Sequence, residues 1–271
     1  MASADARTAA KPAGIGSSAG YVEVRNLSVT FHTARGATEA VRDLSVTIEP
    51  GQFVSVLGPS GCGKSTLLRI AAGLLRPSGG EMRIGGEAVK GPRRDVGVVF
   101  QQPTLLPWKN VLANVLLPAK SLGLDMAAAR ARAMDLLKMA GLDKFAESYP
   151  NELSGGMQQR AGIVRGLIQD PTVLLMDEPF SALDAMTRER MMDELQAIWM
   201  KAGKTVLFIT HSIPEAVYLS DRVLVLSPRP AQLVEDLTID IPRPRSLETM
   251  SEPGFTAYTK HLREIFAKLD H

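Results

Sequence analysis

The sequence predicts an α/β fold in which a mostly parallel sheet is covered by helices on both faces. Two apolar runs, TVLLM at 172–176 and KTVLFIT at 204–210, are typical of buried strands, and helical patterns alternate with them along the chain. Near the start, YVEVRNLSVTF at 21–31 alternates apolar and polar residues, which favours a half-solvated strand. We therefore expect an antiparallel β lobe beside the main sheet.

Composition limits the classes of protein that the chain can form. With 271 residues, 45% hydrophobic and 22% charged, it can bury the core of one large domain or of a domain with a subdomain. The apolar runs are shorter than the roughly 18–20 residues that a membrane-spanning helix needs, so any membrane role is expected to be peripheral. A net charge of +2 disfavours nucleic-acid binding, and the one cysteine, Cys62, fits a reducing compartment.

The chain divides into four predicted regions. Residues 1–20 are small, polar or helix-breaking and predict a disordered tail, and residues 21–246 form the predicted main domain. A helical subdomain is expected at about 102–168, where Ala133, Leu136 and Leu137 mark one helix face. Residues 247–271 predict an amphipathic helical extension that docks, because its large apolar residues share one stripe.

The segment GPSGCGKST lies between a strand-like run and a helix-like run, and it matches the phosphate-binding loop pattern. Glycines let the backbone N–H groups surround a polyphosphate, the lysine places a positive charge on it, and the serine hydroxyl can bind Mg²⁺. The alternative is a glycine-rich turn that only closes a strand. The predicted nucleotide ligands in this segment are Gly58, Pro59, Ser60, Gly61, Cys62, Gly63, Lys64, Ser65 and Thr66.

Two carboxylates follow a predicted strand, at the edge of the sheet where α/β proteins bind ligands. Asp177 is suited to hold Mg²⁺, and Glu178 to polarise an attacking water. Gln101, which also follows a strand, can offer its side-chain carbonyl to the metal and is a candidate for the catalytic step. The alternatives are a polar strand end for the carboxylates and a solvated glutamine.

His211 ends another strand and could hydrogen-bond the γ-phosphate, although a lone histidine at a strand end is more often a cap. In LSGGMQQR, Ser154, Gly155 and Gly156 precede a helix and form a second candidate phosphate cradle. A second cradle is explained if it binds the nucleotide held by another copy of the chain. The alternative is an ordinary helix cap.

Three further expectations concern single side chains. Phe31 could stack on adenine or fill the strand core. Leu105, Leu106 and Trp108 are expected to be exposed on a loop and to mark a partner surface. The thiol of Cys62 is expected to react with alkylating agents and to be protected by MgATP, or else to be an inert filler of the loop.

Taken together, these motifs resemble the ATP-binding subunit of ABC transporters. GPSGCGKST is similar to the Walker A loop, Gln101 to the Q-loop glutamine, LSGGMQQR to the signature, VLLMDE to Walker B, SALD at 181–184 to the D-loop, and His211 to the switch histidine. The resemblance covers residues 21–246, and the one departure, Met157 where the family often has glutamine, lies beyond the signature glycines.

The resemblance implies a P-loop NTPase fold of ABC type that hydrolyses ATP with Mg²⁺ as a homodimer. It also implies a peripheral position on the cytoplasmic face of the inner membrane, two membrane-spanning permease subunits, and an extracytoplasmic solute-binding protein. FQQPTLLPWKNVLANV and IPRPR are similar to the nitrate, sulfonate and taurine import group, so the solute is expected to be small and anionic or polar.

The alternatives are ABC-type repair or translation factors and a small-molecule kinase. Repair ATPases insert long coiled coils between the Q-loop and the signature, and too few positions separate Gln101 from Ser154 to hold one. Translation factors carry two sets of motifs where this chain has one. A kinase would leave LSGGMQQR unexplained.

Overall fold

The computed structural model of the chain describes residues 19–33, 36–181 and 183–269. The predicted disordered tail lies outside these ranges apart from its last two positions, as does Ala182 of the predicted D-loop. The predicted domain limits at 21–246, 102–168 and 247–271 stay predictions.

Ten strands and eight α-helices form the described part of the chain. The strands are β1 (Val22–Thr33), β2 (Gly36–Ile48), β3 (Phe53–Leu57), β4 (Gly79–Ile84), β5 (Glu87–Ala88), β6 (Val96–Val99), β7 (Val173–Asp177), β8 (Thr205–Ile209), β9 (Arg222–Leu226) and β10 (Leu233–Thr238). The helices are α1 (Lys64–Ala71), α2 (Val111–Val115), α3 (Leu117–Ser121), α4 (Met126–Met139), α5 (Gly155–Leu167), α6 (Ala185–Ala202), α7 (Ile213–Leu219) and α8 (Pro253–Leu269). Short 3₁₀ helices lie at Asp143–Phe145, Pro150–Glu152 and Leu247–Ser251.

The larger sheet has six strands in the order β10-β9-β3-β8-β7-β6. All neighbouring pairs are parallel except β10 with β9. This arrangement confirms the predicted mostly parallel sheet. Because the carboxyl ends of parallel strands meet at one edge, the segments that follow β3, β6, β7 and β8 are brought together there.

The smaller sheet has four strands in the order β2-β1-β4-β5, and all its pairs are antiparallel. It is the antiparallel lobe that the alternating sequence at 21–31 predicts. A bridge between Val41 of β2 and Ala231 joins this lobe to the loop between β9 and β10.

The core consists of two clusters, one on each face of the larger sheet. Strand side chains alternate between faces, so Phe53 and Leu57 of β3 lie in one cluster while Val54 and Val56 lie in the other. The first cluster is completed by helices α2 to α8, and the second by α1 and the antiparallel lobe. Burial on both faces explains why β3, β7 and β8 are continuously apolar.

Helix α8 packs its apolar stripe on the first cluster through Phe255, Leu262 and Ile265. The segment before it is held by Arg245, whose buried guanidinium donates to the carbonyl oxygens of Val217, Tyr218 and Ser220 at the end of α7. Burial lowers the pKa of Arg245 to about 10. In the described ranges, no helix has both the length and the apolar character needed to cross a membrane.

Candidate active site

A pocket of about 240 Å³ opens at the carboxyl edge of the larger sheet, next to the antiparallel lobe. It is formed by the loop after β3, the first turn of α1 and Glu178 at the end of β7. One residue each from β1, β2 and the loop after β9 completes it. Its lining residues are Phe31, Ala40, Ser60, Gly61, Gly63, Lys64, Ser65, Thr66, Glu178 and Arg229.

The loop after β3 has the backbone conformation that a phosphate cradle needs. Gly63 adopts a φ of 133°, and a Cβ atom there would lie 2.9 Å from the carbonyl oxygen of Ala40. No other residue fits this position without displacing β2. Because Gly63 caps α1, the N–H groups of Lys64, Ser65 and Thr66 form the unpaired first turn of the helix, at its positive dipole end.

Lys64 is buried, with 5% of its surface exposed. Its Nζ atom donates to the carbonyl oxygens of Gly58 and Pro59 at 2.8 and 2.9 Å. An ammonium group has three protons, so one remains for a ligand in the pocket that Lys64 lines. The lysine thus both holds the loop and presents charge to a phosphate.

Ser65 and Asp177 come together from α1 and β7, where the Ser65 Oγ atom donates to Oδ1 of Asp177 at 3.3 Å. Burial raises the pKa of Asp177, and the Ser65 hydrogen bond partly opposes this rise. A hydroxyl and a carboxylate are oxygen ligands of the kind that Mg²⁺ prefers. In the described chain, no group of three or more His, Cys, Asp and Glu side chains is placed to hold a metal ion.

Glu178 and His211 follow the neighbouring strands β7 and β8, and their side chains meet at 3.1 Å between Oε2 and Nδ1. Glu178 has a φ of 43°, and its N–H donates to the carbonyl oxygen of Ile209 at 2.9 Å. A left-handed backbone is costly for a glutamate, and such strain is concentrated at functional sites. The turn directs this carboxylate into the pocket.

Gln101 lies at the same sheet edge, after β6, but it does not line the pocket in the described structure. Its amide nitrogen donates to Oγ of Ser181 at 3.0 Å, and that hydroxyl donates to the carbonyl oxygen of Glu178 at 3.0 Å. Gln101 is therefore connected to the Glu178 turn rather than to Ser65 or Asp177.

Ser154, Gly155 and Gly156 do not reach the pocket either, as judged from the described residues that line it. Ser154 caps α5 through a hydrogen bond from Met157 N to its Oγ atom at 3.3 Å. Ser154 and Gly155 are exposed, while Gly156 is buried. Two of the three residues of the candidate second cradle are therefore open to solvent.

The structure corrects the expectation of an accessible thiol at Cys62. The residue is 1% exposed and belongs to the core cluster beneath the antiparallel lobe. It packs so closely against Gly58 that a Cβ atom at position 58 would lie 2.8 Å from the Cys62 Sγ atom. Cys62 therefore offers a ligand only its backbone, and the burial supports the alternative of an inert filler.

The loop after Gln101 is less exposed than expected. Leu105 packs on the first core cluster and Leu106 is half-buried, so the expectation that these side chains are exposed is wrong. The buried Asn114 side chain holds the loop through both the N–H and the carbonyl of Leu106. Trp108, by contrast, is 70% exposed.

Arg229 is a lining residue that no sequence motif indicates. Its Nη2 atom donates to the carbonyl oxygen of Gly61 at 2.7 Å. It follows β9 in the loop whose Ala231 N–H donates to the carbonyl oxygen of Ala40 at 2.9 Å. The loop thus joins the phosphate loop to the lobe that carries Phe31. The only sequence signal was a lone arginine between two prolines.

Comparison with known proteins gives consistent matches. The sequence model of the family described as ABC transporter matches residues 41–181. The chain is 47% identical to the taurine import ATP-binding protein TauB of Rhizobium johnstonii, over 90% of this chain and 95% of that protein. It is 42% identical to the nitrate import ATP-binding protein NrtD of Synechocystis sp., over 90% and 94%. A solved dimeric ATP-binding cassette, in a post-hydrolysis state bound to ADP and Pi, superposes with a TM-score of 0.70 and 34% identity, over 82% of this chain and 100% of that one.

Proposed function

This chain belongs to the ABC transporter family, and from that premise we propose that its ATP hydrolysis powers the import of a small anionic or polar solute. The solute class is that of taurine, aliphatic sulfonates or nitrate. The observation that carries the proposal is the near full-length similarity to two relatives named for taurine and nitrate import. The pocket supports it because its lining residues supply the parts that phosphoryl transfer to water needs.

In this proposal, ATP binds with its phosphates in the loop after β3 and its adenine near Phe31. Lys64 binds the β- and γ-phosphates, and the N–H groups at the start of α1 bind the remaining phosphate oxygens. Phe31 lines the pocket and is 38% exposed, so one face of its ring is open to stacking. Ser65 and Asp177 would hold Mg²⁺, which would supply positive charge to the phosphates during the reaction.

Glu178 lines the pocket and is proposed to orient the attacking water and to accept its proton. The water oxygen forms a bond to the γ-phosphorus while the bond to the β-phosphate oxygen breaks, which releases ADP and inorganic phosphate. His211 holds the Glu178 carboxylate and is proposed to hydrogen-bond the γ-phosphate when ATP is bound. Gln101 is proposed to respond to hydrolysis through its hydrogen bond to Ser181, whose hydroxyl donates to the carbonyl oxygen of Glu178.

We propose that two copies of the chain form the working enzyme. The exposure of Ser154 and Gly155 supports a cradle that completes the pocket of the other copy, as does the dimeric state of the structural relative. ATP then closes the two copies on each other, and hydrolysis reopens them.

The proposed partners are two membrane-spanning permease subunits and, through them, an extracytoplasmic solute-binding protein. The chain would lie peripherally on the cytoplasmic face of the inner membrane. The exposed Trp108, on a loop adjoining Gln101, supports a contact through which nucleotide-driven motion reaches the permease. A repair or translation role has less support, since the relatives reported above are named for import.

The experiment that tests the proposal is transport by the reconstituted complex. We expect its ATPase rate to rise when the binding protein is loaded with taurine, an alkanesulfonate or nitrate. A rate that stays constant with all of these solutes, in a complex that binds ATP, would contradict the proposed solute class.

A further inference from the structure

Two charged side chains lie behind the Glu178–His211 pair and have no role in the chemistry described above. Arg188 is on α6, and Glu215 is on α7 with only 4% of its surface exposed. The Arg188 Nε atom lies 3.6 Å from Oε1 of Glu215, which is an ion pair but too long for a hydrogen bond. The Nε atom is buried and has no hydrogen-bond partner in the described structure.

From Arg188, contacts lead to Glu178. The Arg188 Nη2 atom donates to the carbonyl oxygen of Leu183 at 2.9 Å. Two turns connect Leu183 to the backbone of Glu178, because Leu183 N donates to Phe180 O at 3.1 Å and Ser181 N donates to Glu178 O at 3.2 Å. A shift of the Arg188 guanidinium therefore acts on the turn that aims Glu178.

From Glu215, contacts lead to His211. Oε2 of Glu215 accepts a hydrogen bond of 2.5 Å from the hydroxyl of Thr210, the residue before the histidine. The same hydroxyl accepts a bond of 3.0 Å from Ser212 N, the residue after it. One carboxylate thus fixes the backbone on both sides of His211.

The contact between His211 and Glu178 closes these links into a ring. We propose that Arg188 and Glu215 are positioning residues for ATP hydrolysis, which set the distance between His211 and Glu178 by holding the backbone next to each of them. The inference rests on the proposed catalytic roles of those two residues. Neither Arg188 nor Glu215 is among the described residues that line the pocket.

Arg188 and Glu215 carry opposite charges, so the loss of either charge should disturb the positions of the other residues in the ring. Burial raises the pKa of Glu215, while the Thr210 hydroxyl, Arg188 and His211 lower it, so Arg188 helps this buried carboxylate to stay charged. A buried charge that loses its partner moves or takes up a proton. Removal of the pair should therefore displace Thr210, and with it His211, rather than empty the pocket.

The first variants are Glu215→Gln, which keeps an acceptor for Thr210 but loses the charge, and Arg188→Lys, which keeps the charge but loses the second nitrogen that reaches Leu183. In the purified full-length chain, we expect kcat for ATP to fall about ten- to a hundredfold, since small misplacements of catalytic groups have effects of this size. KM for ATP should change less than about twofold, since no nucleotide contact is lost. Arg190→Lys is the matched control, because Arg190 is exposed on the same helix and, among the described residues, pairs only with Glu194 at 4.0 Å.

A double-mutant cycle with His211→Ala separates positioning from general damage, with radiolabelled phosphate release to follow slow rates. If Glu215 acts through His211, Glu215→Gln should not lower kcat further in the His211→Ala background. The inference is overturned if the losses in kcat of Glu215→Gln and His211→Ala multiply in the double variant, or if both Glu215→Gln and Arg188→Lys keep a wild-type kcat. If Glu215→Gln does not fold, as thermal unfolding will report, Arg188→Lys enters a cycle with Glu178→Gln instead, because the contacts of Arg188 lead to Glu178.

The cycle also distinguishes failure of the inference from failure of the proposed function. A defective His211→Ala chain together with normal Arg188 and Glu215 variants overturns only the ring. A fully active His211→Ala chain overturns the catalytic role of His211, and the ring with it.

Discussion

The Nδ1 atom of His211 lies 3.1 Å from Oε2 of Glu178, and this contact joins the ends of two neighbouring parallel strands. Only Glu178 of the two lines the pocket, and its side chain is the less exposed one. This geometry supports the proposed roles, in which the carboxylate orients the attacking water and the imidazole holds the carboxylate. This division makes Glu178 the residue whose loss should affect turnover more than binding.

Glu178→Gln should bind ATP with near-normal affinity while turnover falls about 10²- to 10⁴-fold, because an amide cannot accept the proton of the attacking water. ATP binding and phosphate release measured on the same preparation check this. Glu189→Gln, at an exposed position of α6, is the matched control and should behave as wild type. Hydrolysis near the wild-type rate would remove Glu178 from the proposed role.

Lys64→Ala should fail earlier, at nucleotide binding. Its ammonium group holds two carbonyl oxygens of the phosphate loop and offers its third proton to the pocket, so the substitution removes both the charge and the support of the loop. We expect the Kd for ATP to rise by tenfold or more, a change of about 1.4 kcal/mol. Titration with a fluorescent ATP analogue measures it, with the exposed Lys90→Ala as control. An unchanged Kd and rate would contradict the phosphate-loop assignment.

The phosphate loop could be predicted from sequence because its parts are contiguous. Strand, glycines, lysine and helix follow one another within 52–75, so local chemistry alone indicates the ligand. Asp177, Glu178 and His211 could be predicted as a group for a related reason: each follows an apolar strand, and parallel strands end at one edge. The sequence could not give the distances between these side chains, such as the 3.1 Å between Glu178 Oε2 and His211 Nδ1.

Other features depended on long-range packing, and sequence reasoning missed or misjudged them. Arg229 reaches Gly61 because β9 lies beside β3, a neighbour relationship that no local pattern encodes. Cys62 points into the core because of the path of its loop. The same local sequence is compatible with a thiol that faces the phosphates, so the sequence did not decide between the two. Leu105 was expected to be exposed because it lies on a proline-rich loop, yet it packs on the core.

Arg229→Ala tests whether this missed residue binds nucleotide. Its guanidinium lines the pocket and uses one N–H on Gly61, which leaves other donors for the nucleotide. We expect the Kd for ATP to rise about tenfold, in line with loss of one charge-assisted hydrogen bond. Calorimetric titration checks it, with the exposed Arg263→Ala on α8 as control. An unchanged Kd would mean that Arg229 only buttresses the loop.

Trp108→Ala should uncouple transport from hydrolysis in the reconstituted complex, while the basal ATPase rate of the chain and its unfolding temperature stay unchanged. The side chain is 70% exposed on a loop that Asn114 anchors, so its removal costs the fold little. Leu105→Ala is the matched comparison. It removes packing from the core cluster and should lower the stability by about 1 kcal/mol or more. If Trp108→Ala lowers stability and ATPase together, the tryptophan packs within the helical region and the partner surface lies elsewhere.

Ser154 to Gly156 form the proposed second cradle and are not among the described residues that line the pocket of their own chain. Gly155→Asp is the suitable lesion, because a Cβ atom at this exposed position meets only Leu183 Cδ2 at 3.9 Å, an ordinary contact. Gly156 is a poorer choice, since a Cβ atom there would lie 3.2 Å from Thr187. The new carboxylate should repel a phosphate at close range in a partly dried interface.

If each cradle serves the other copy, a homodimer of Lys64→Ala chains and a homodimer of Gly155→Asp chains each have two damaged sites. A mixed dimer collects both lesions in one shared site and leaves the second site intact. Mixing the two inactive proteins should therefore restore nucleotide-dependent dimer closure, measured by size-exclusion chromatography, and ATPase activity where one site suffices for turnover. If the cradle instead served its own chain, both sites of the mixed dimer would carry a lesion, and neither closure nor activity would return at any mixing ratio.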